Sequence, residues 1–203
     1  MKNFPSDDKF KFAGILQNPY ISKLHRHLLD GFKVRQLSRR INPLGAASLL
    51  DVCCGLGEYA TLGIAPYTGV DNSQESLDFA SRKYKGCRFI QTDATALPFV
   101  AQTFDAVLFA GSGHHFSDQD FVKVVQECGR VAKRFIIVAD IVITPDQGRI
   151  SRFLYGIDRG RYMRTADEIN RILSLALNKV VSGPLFHKTF PGFYTHAVFI
   201  VRI

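Results

Sequence analysis

From Ser48 onward the chain alternates short, β-rich apolar runs with stretches whose apolar residues recur at helical spacing. The runs Ser48 to Val52, Tyr67 to Asp71, Arg88 to Thr92, Phe104 to Phe109 and Phe135 to Asp140 read as strands. Between them the pattern predicts a short helix at Glu58 to Ile64 and a second at Gln74 to Tyr84, with Leu77, Ala80, Ser81 and Tyr84 on one face. A third, at Asp118 to Ala132, gathers Phe121, Val122, Val125 and Cys128. Asn72 or Ser73 is placed to cap the second helix and Ser117 the third. Strands that alternate with helices imply a mostly parallel sheet joined by crossover helices.

The flanks differ from this repeat. Pro19 to Ile41 carries Ile21, Leu24, Leu28, Phe32 and Leu37 at helical spacing and predicts a helix lying on the sheet or over its crevice. After Thr144-Pro145 comes a polar, arginine-rich stretch to Tyr162, then a helix at Thr165 to Asn178, where Thr165 and Glu168 spell a capping box. Lys179 to Phe190 and Phe193 to Ile203 are β-prone and joined by Pro191-Gly192, which predicts an antiparallel hairpin at the sheet edge. The expectation is a Rossmann-like three-layer α/β sandwich around a mostly parallel seven-stranded sheet. It forms one domain, with a helical cap at 1–45, a core at 46–142, and a lid and terminal hairpin at 143–203.

At 203 residues with 46% apolar content the chain has the size of one globular domain. Its continuous apolar runs, such as Phe135 to Ala139, are far shorter than the roughly 20 residues of a bilayer span. Met1 to Asp8 is polar and lacks a secretory signal's apolar stretch, so the expected location is cytoplasmic. Cys53, Cys54, Cys87 and Cys128 contain no C-x-x-C and spell out no metal or redox site; they read as reduced, mostly buried thiols. The net charge of +8 admits an anionic partner. Its densest cluster, Lys23 to Arg40, nevertheless has the spacing of a solvated amphipathic helix face.

The segment Leu49-Leu50-Asp51-Val52-Cys53-Cys54-Gly55-Leu56-Gly57-Glu58 runs a strand into an acid and a glycine turn, which in an open α/β sheet marks a ligand crevice. Gly55-x-Gly57-x-x-Ala60 also satisfies the dinucleotide fingerprint, so an NAD(P)-dependent oxidoreductase is one reading. Charge opposes it. A pyrophosphate beside Asp51 would meet repulsion of about 4 kcal/mol at about 4 Å and an effective dielectric of about 20, whereas an ammonium would be attracted. Asp71 ends the second strand, where a carboxylate can accept from two ribose hydroxyls, a feature that dehydrogenases share. Asp93 follows the third, where it can accept from an adenine amino group while the Ala94 N–H donates to the ring. One such aspartate is as readily a turn former. Three successive ones beside a glycine turn point to a single positively charged nucleoside.

From Leu49 to Asp140 the chain resembles the class I S-adenosylmethionine-dependent methyltransferases, specifically the small bacterial ubiquinone-biosynthesis type, and more loosely through Asp158-Arg159-Gly160 and the terminal hairpin. The resemblance implies that Asp51, Cys53, Gly55 and Gly57 hold the methionine end of S-adenosylmethionine. It likewise implies that Asp71 and Asn72 hold the ribose, Asp93 and Ala94 the adenine, and that Ala110 and Gly111 line the cofactor. Leu97-Pro98-Phe99 and Thr103-Phe104-Asp105 match the family's approach to the fourth strand. Cys53 stands where the family usually has its first glycine, and Arg130-Val131-Ala132-Lys133 enters the fifth strand without the usual proline-glycine turn, which predicts a shortened loop.

The loop Phe109-Ala110-Gly111-Ser112-Gly113-His114-His115-Phe116 delivers two histidines to the same crevice, either of which could serve as a base near neutrality. Such a histidine can equally pack the loop, and alignment of the acceptor for in-line attack alone accelerates methyl transfer. Arg149, Arg152, Arg159, Arg161 and Arg164, with Tyr155 and Tyr162, occupy the lid, where guanidinium groups suit an acidic acceptor. A solvated basic loop is the plainer reading. Tyr20, Arg159 and Tyr162 are the substrate candidates, with His25 a weaker one. A small-molecule acceptor is the favoured partner. No Asp-Pro-Pro-Tyr type of motif follows the fourth strand, which disfavours nucleic acid, although RNA methylation stays an alternative on charge.

Overall fold

The computed structural model describes residues 34–157, 160–179, 181, 183–188 and 193–203. In chain order the elements are α1 over residues 34–41, β1 (Leu49–Val52), β2 (Tyr67–Asp71), α2 (Gln74–Lys83), β3 (Arg88–Gln91) and β4 (Phe104–Ala110). They continue with α3 (Asp118–Val131), β5 (Ala132–Ile141), α4 (Arg149–Ile157), α5 (Ala166–Leu177), β6 (Leu185–Lys188) and β7 (Thr195–Arg202). The seven strands form one sheet in the order β3-β2-β1-β4-β5-β7-β6, parallel as far as β5 and antiparallel at β7 and β6. The chain winds outward from β1 to β3, then returns to lay β4 on the other side of β1. That reversal opens a crevice above the carboxyl ends of β1 and β4, where ligands bind in this architecture.

Both faces of the sheet are covered, which is why β5 reads as an unbroken apolar run. Ile136 and Val138 pack with Phe121 and Val125 of α3 and with Ile169 and Leu173 of α5. Ile137 and Ala139 face the other way, toward Leu37 and Ile41 of α1. No helix among the described residues is long and apolar enough to cross a membrane.

The expected architecture is present, with four local differences. The helix after the glycine turn is a five-residue 3-10 segment, Glu58–Leu62, closed off by left-handed Gly57 and Gly63. The lid contains α4, whose inward positions Ser151 and Tyr155 hide the apolar signal expected of a helix. Helix α3 passes into β5 with no loop at all, so the missing proline-glycine turn removes the connection rather than shortening it. Strand β6 covers only Leu185–Lys188 of the longer segment expected, since Gly183-Pro184 interrupts it. The capping box on α5 is formed: Glu168 donates its backbone N–H to Thr165 Oγ1 at 3.3 Å, and Thr165 N–H donates to Glu168 Oε2 at 2.7 Å. Residues 189–192, with the Pro191-Gly192 turn, and most of the predicted N-terminal helix lie outside the described residues.

Asp51 is only 1% exposed. Its Oδ2 accepts the Tyr67 hydroxyl, which does not offset the loss of water, and burial pushes the carboxyl up from 3.8 to about 8. Just past β1, Cys53 adopts φ 60°, a left-handed conformation that a side chain disfavours by about 1–2 kcal/mol. The family's usual glycine meets no such penalty here.

Two outcomes follow for the cofactor-free protein. Folded Asp51 holds a proton that the unfolded chain has released, so its stabilising effect is full below the unfolded value and falls by about 1.4 kcal/mol per pH unit as pH rises toward 8. Asp51→Asn removes this titration; in urea denaturation its stability should gain on the wild type steadily from pH 5 to 8, and a constant difference over that window contradicts the assignment. Cys53→Gly should raise stability by up to about 1 kcal/mol, whereas Cys53→Ala, which keeps the strain and loses the sulfur, should not.

Candidate cofactor and acceptor site

The turn from Cys53 to Gly57 is tied to β2 and closed on itself. Cys54 N–H donates to Val70 O at 2.9 Å, and Gly57 N–H donates to Cys54 O at 2.9 Å. Gly57 has φ 75°, and a Cβ there would lie 3.1 Å from Ala80 and Phe89, so the turn packs directly on α2 and β3. The decisive contact is Gly55 N–H donating to Asp71 Oδ2 at 2.8 Å, while Asp71 Oδ1 accepts Ser73 N–H at 2.9 Å.

This arrangement revises the electrostatic argument drawn from Asp51. That residue lies inside the sheet beneath the turn; the acid bonded to the turn itself is Asp71. Phosphates bind such turns through free N–H groups and the positive end of a following helix. Here Asp71 occupies the Gly55 N–H, the following segment is a single short 3-10 helix, and Glu58 stands in its first turn. The short helix and Glu58 oppose a pyrophosphate and the Asp71 bond leaves one fewer free N–H for it, while an acid in this place also serves the ribose of a dinucleotide.

Asp93, past β3, is exposed. Its Oδ1 accepts both the N–H and the hydroxyl of Thr95 at 2.8 Å, and these bonds hold its carboxyl below the usual range. It is therefore ionised and fixed in orientation, forming a turn and presenting a charge at once. Ala94 beside it is buried. Asn72 is exposed, and its carbonyl accepts Gln91 Nε2 at 3.0 Å. Ala110 ends β4, and Gly111 turns away with φ 68° while its N–H donates to Ala139 O at 2.7 Å. Burial pushes the Cys53 and Cys54 thiols well up and Cys128 up to about 12, so none supplies a thiolate.

The histidines part company. His114 is buried, and Asp140 near the end of β5 grips it twice: Oδ2 accepts its backbone N–H at 2.8 Å and Oδ1 lies 2.7 Å from Nδ1. Asp140 Oδ1 also accepts Ile141 N–H at 2.8 Å. His115 is exposed, its ring centroid 4.3 Å from that of His114. Gly160 lies against the His114 ring so closely that a Cβ would fall 2.1 Å from Cδ2, and Tyr162 N–H donates to His114 O at 3.0 Å. Residues 160–164 thus form a strap across the histidine loop. Asp140 was not among the residues singled out in the sequence, although it is another aspartate near a strand's carboxyl end.

Arg164 fastens that strap. It is 6% exposed, stacks 5.0 Å from the Phe121 ring centroid, and directs its donors to Asp118 and to the carbonyls of Gly113, Phe116 and Tyr162. Its role is internal. Arg149, Arg152 and Arg161 are exposed, as is Tyr162 at 42%. Tyr20, His25 and Arg159 lie outside the described residues.

Residues 49–134 match the methyltransferase-domain family. A demethylmenaquinone methyltransferase of Thermotoga maritima is 37% identical over 107 residues, covering 50% of this chain and 44% of that protein. A probable tRNA methyltransferase 9B of Bos taurus is 31% identical over 115 residues, covering 56% of this chain and 24% of its own. The chain thus spans less than half the length of these relatives. Magnesium protoporphyrin IX methyltransferase of Synechocystis, solved with bound S-adenosylhomocysteine, shares the fold with a TM-score of 0.67 at 17% identity, over 84% of this chain and 81% of its own. Over residues 49–134 the chain is therefore similar to the methyltransferase-domain family, and its fold is shared with a methyltransferase solved with S-adenosylhomocysteine.

Proposed function

We propose that this protein transfers a methyl group from S-adenosylmethionine to a small-molecule acceptor. The observation that carries the proposal is the Asp71 carboxylate on the Gly55 N–H, which makes the glycine turn a site for a cationic ligand. The residues present fit that cofactor. A carboxylate has about four lone-pair sites, and the bonds from Gly55 and Ser73 occupy two on Asp71, leaving two for ribose hydroxyls. Asp93 adds an oriented carboxylate for the adenine edge, beside Ala94. When bound, the cofactor supplies an electrophilic methyl group on a sulfonium.

On the acceptor side, His114 is the residue held in a defined pose. Hydrogen bonding to Asp140 favours the tautomer protonated at Nδ1 and stabilises the imidazolium that forms when the ring takes a proton at Nε2. That suits an acceptor hydroxyl, which sheds a proton as it is methylated. The strap and its apolar surroundings limit water at the same point. Methylation of RNA is a second reading, supported by the +8 charge and the tRNA methyltransferase relative.

Calorimetry should show S-adenosylhomocysteine binding to the purified protein, and Asp71→Asn should weaken it by about tenfold or more. No binding of that product, together with a fluorescence signal from reduced nicotinamide dinucleotide, would overturn the proposal. Transfer of radiolabelled methyl into a metabolite extract supplies the activity measurement. There His114→Asn should lower turnover by about 10²–10⁴-fold at unchanged cofactor affinity, with Asp140→Asn lowering it as well. An unaltered rate in both variants removes the base.

A further inference from the structure

Beyond the cofactor turn and the histidine loop lies a groove of about 370 Å³ between the strap and α5. Arg161, Tyr162 and Met163 line one side, and Arg171 and Ile172 the other. Its two carboxylates are committed. Asp118 pairs with Arg164, and Glu168 Oε2 accepts the N–H and hydroxyl of Thr165. Arg161 and Arg171 are exposed, and among the described residues neither has a carboxylate within ion-pair distance. The groove therefore presents two uncommitted guanidinium groups beside an apolar wall formed by half-buried Met163 and by Ile172, which is 8% exposed.

Guanidinium groups bind carboxylates and phosphates through paired N–H donors, and an apolar wall beside them selects an anion that carries a hydrocarbon body. The volume lies in the range of small-ligand pockets. Tyr162 lines the groove and donates its N–H to His114 O, so the groove and the histidine loop share one residue of the strap. We propose that this groove binds the acid group and adjoining apolar body of an amphipathic small-molecule anion. Naming the acceptor as that anion rests on the methyltransferase reading above.

The chain contains two methionines, Met1 and Met163, so a ¹³C-methyl label on methionine places one of two signals in the groove. Met163→Leu assigns it. With protein saturated in S-adenosylhomocysteine, titration with octanoate should shift the Met163 signal saturably, and octanol should bind about tenfold more weakly or not at all. The double variant Arg161→Gln, Arg171→Gln should lose about tenfold in octanoate affinity while its calorimetric affinity for S-adenosylhomocysteine stays the same. Equal responses to octanoate and octanol overturn the proposal, as does undiminished octanoate binding by the double variant. A Met163 shift produced by an RNA oligonucleotide with steep salt dependence, and not by octanoate, also overturns it. If the protein selects octanoate at Met163 yet fails to bind S-adenosylhomocysteine, the groove stands and its identification with the methyl acceptor falls.

Discussion

The bond from Gly55 N–H to Asp71, 2.8 Å long, is the constraint on which the site depends. One carboxylate oxygen holds the first turn. The other accepts Ser73 N–H, and Ser73 in turn caps α2 through its hydroxyl, which accepts Ser76 N–H at 3.3 Å. A single side chain thus joins the turn after β1, the end of β2 and the start of the next helix. A charge-assisted bond of this kind contributes about 1.5–3 kcal/mol, enough to hold a five-residue turn in one shape. The same bond places a carboxylate on an amide of the glycine turn, so that N–H is already occupied by a negative partner.

Four aspartates lie at or near the carboxyl ends of strands, and their roles follow from depth and from the donors each receives. Asp51 is the deepest in the cofactor half, receives one hydroxyl and keeps its proton up to about pH 8. Asp71, half-buried, receives two N–H groups and has lone pairs to spare. Asp93 is exposed, and two bonds from Thr95 hold its charge in place. Asp140 is buried but satisfied by two backbone N–H groups and an imidazole. Sequence alone presents all four as an acid after an apolar run. Only packing distinguishes a neutral core group from an exposed, charged one.

This explains how much could be read before the structure. Strand positions, parallel order and the three acids along β1, β2 and β3 were legible because each follows from local periodicity and punctuation. The capping box at Thr165 was legible for the same reason. Helix α4 was not, since Ile150 at 60% exposure and Phe153 at 44% carry its apolar signal on the solvent side, while Ser151 and Tyr155 face inward. Asp140 escaped because its partner, His114, is 26 residues distant along the chain, and nothing in a linear pattern joins two adjacent strand ends. Proximity to the turn in sequence favoured Asp51 as the acid beside the glycine amides, whereas the crossover brings Asp71 to the Gly55 amide.

The arginines of the lid make the same point from the opposite charge. They share a segment and a residue type, yet Arg164 is enclosed and Arg161, three positions earlier, is exposed. The difference lies in what surrounds each guanidinium. Around Arg164 the ends of two loops turn their carbonyls inward, so its N–H groups replace the water that Gly113, Phe116 and Tyr162 would otherwise need. A lysine has three donors on one point and could not span those carbonyls and Asp118 together. Burying one arginine therefore closes the histidine loop, and its use of Asp118 takes away the carboxylate nearest the groove. Among the described residues the exposed Arg161 and Arg171 meet no carboxylate at ion-pair distance, so the arginine that closes the histidine loop stands beside two unpaired guanidinium groups.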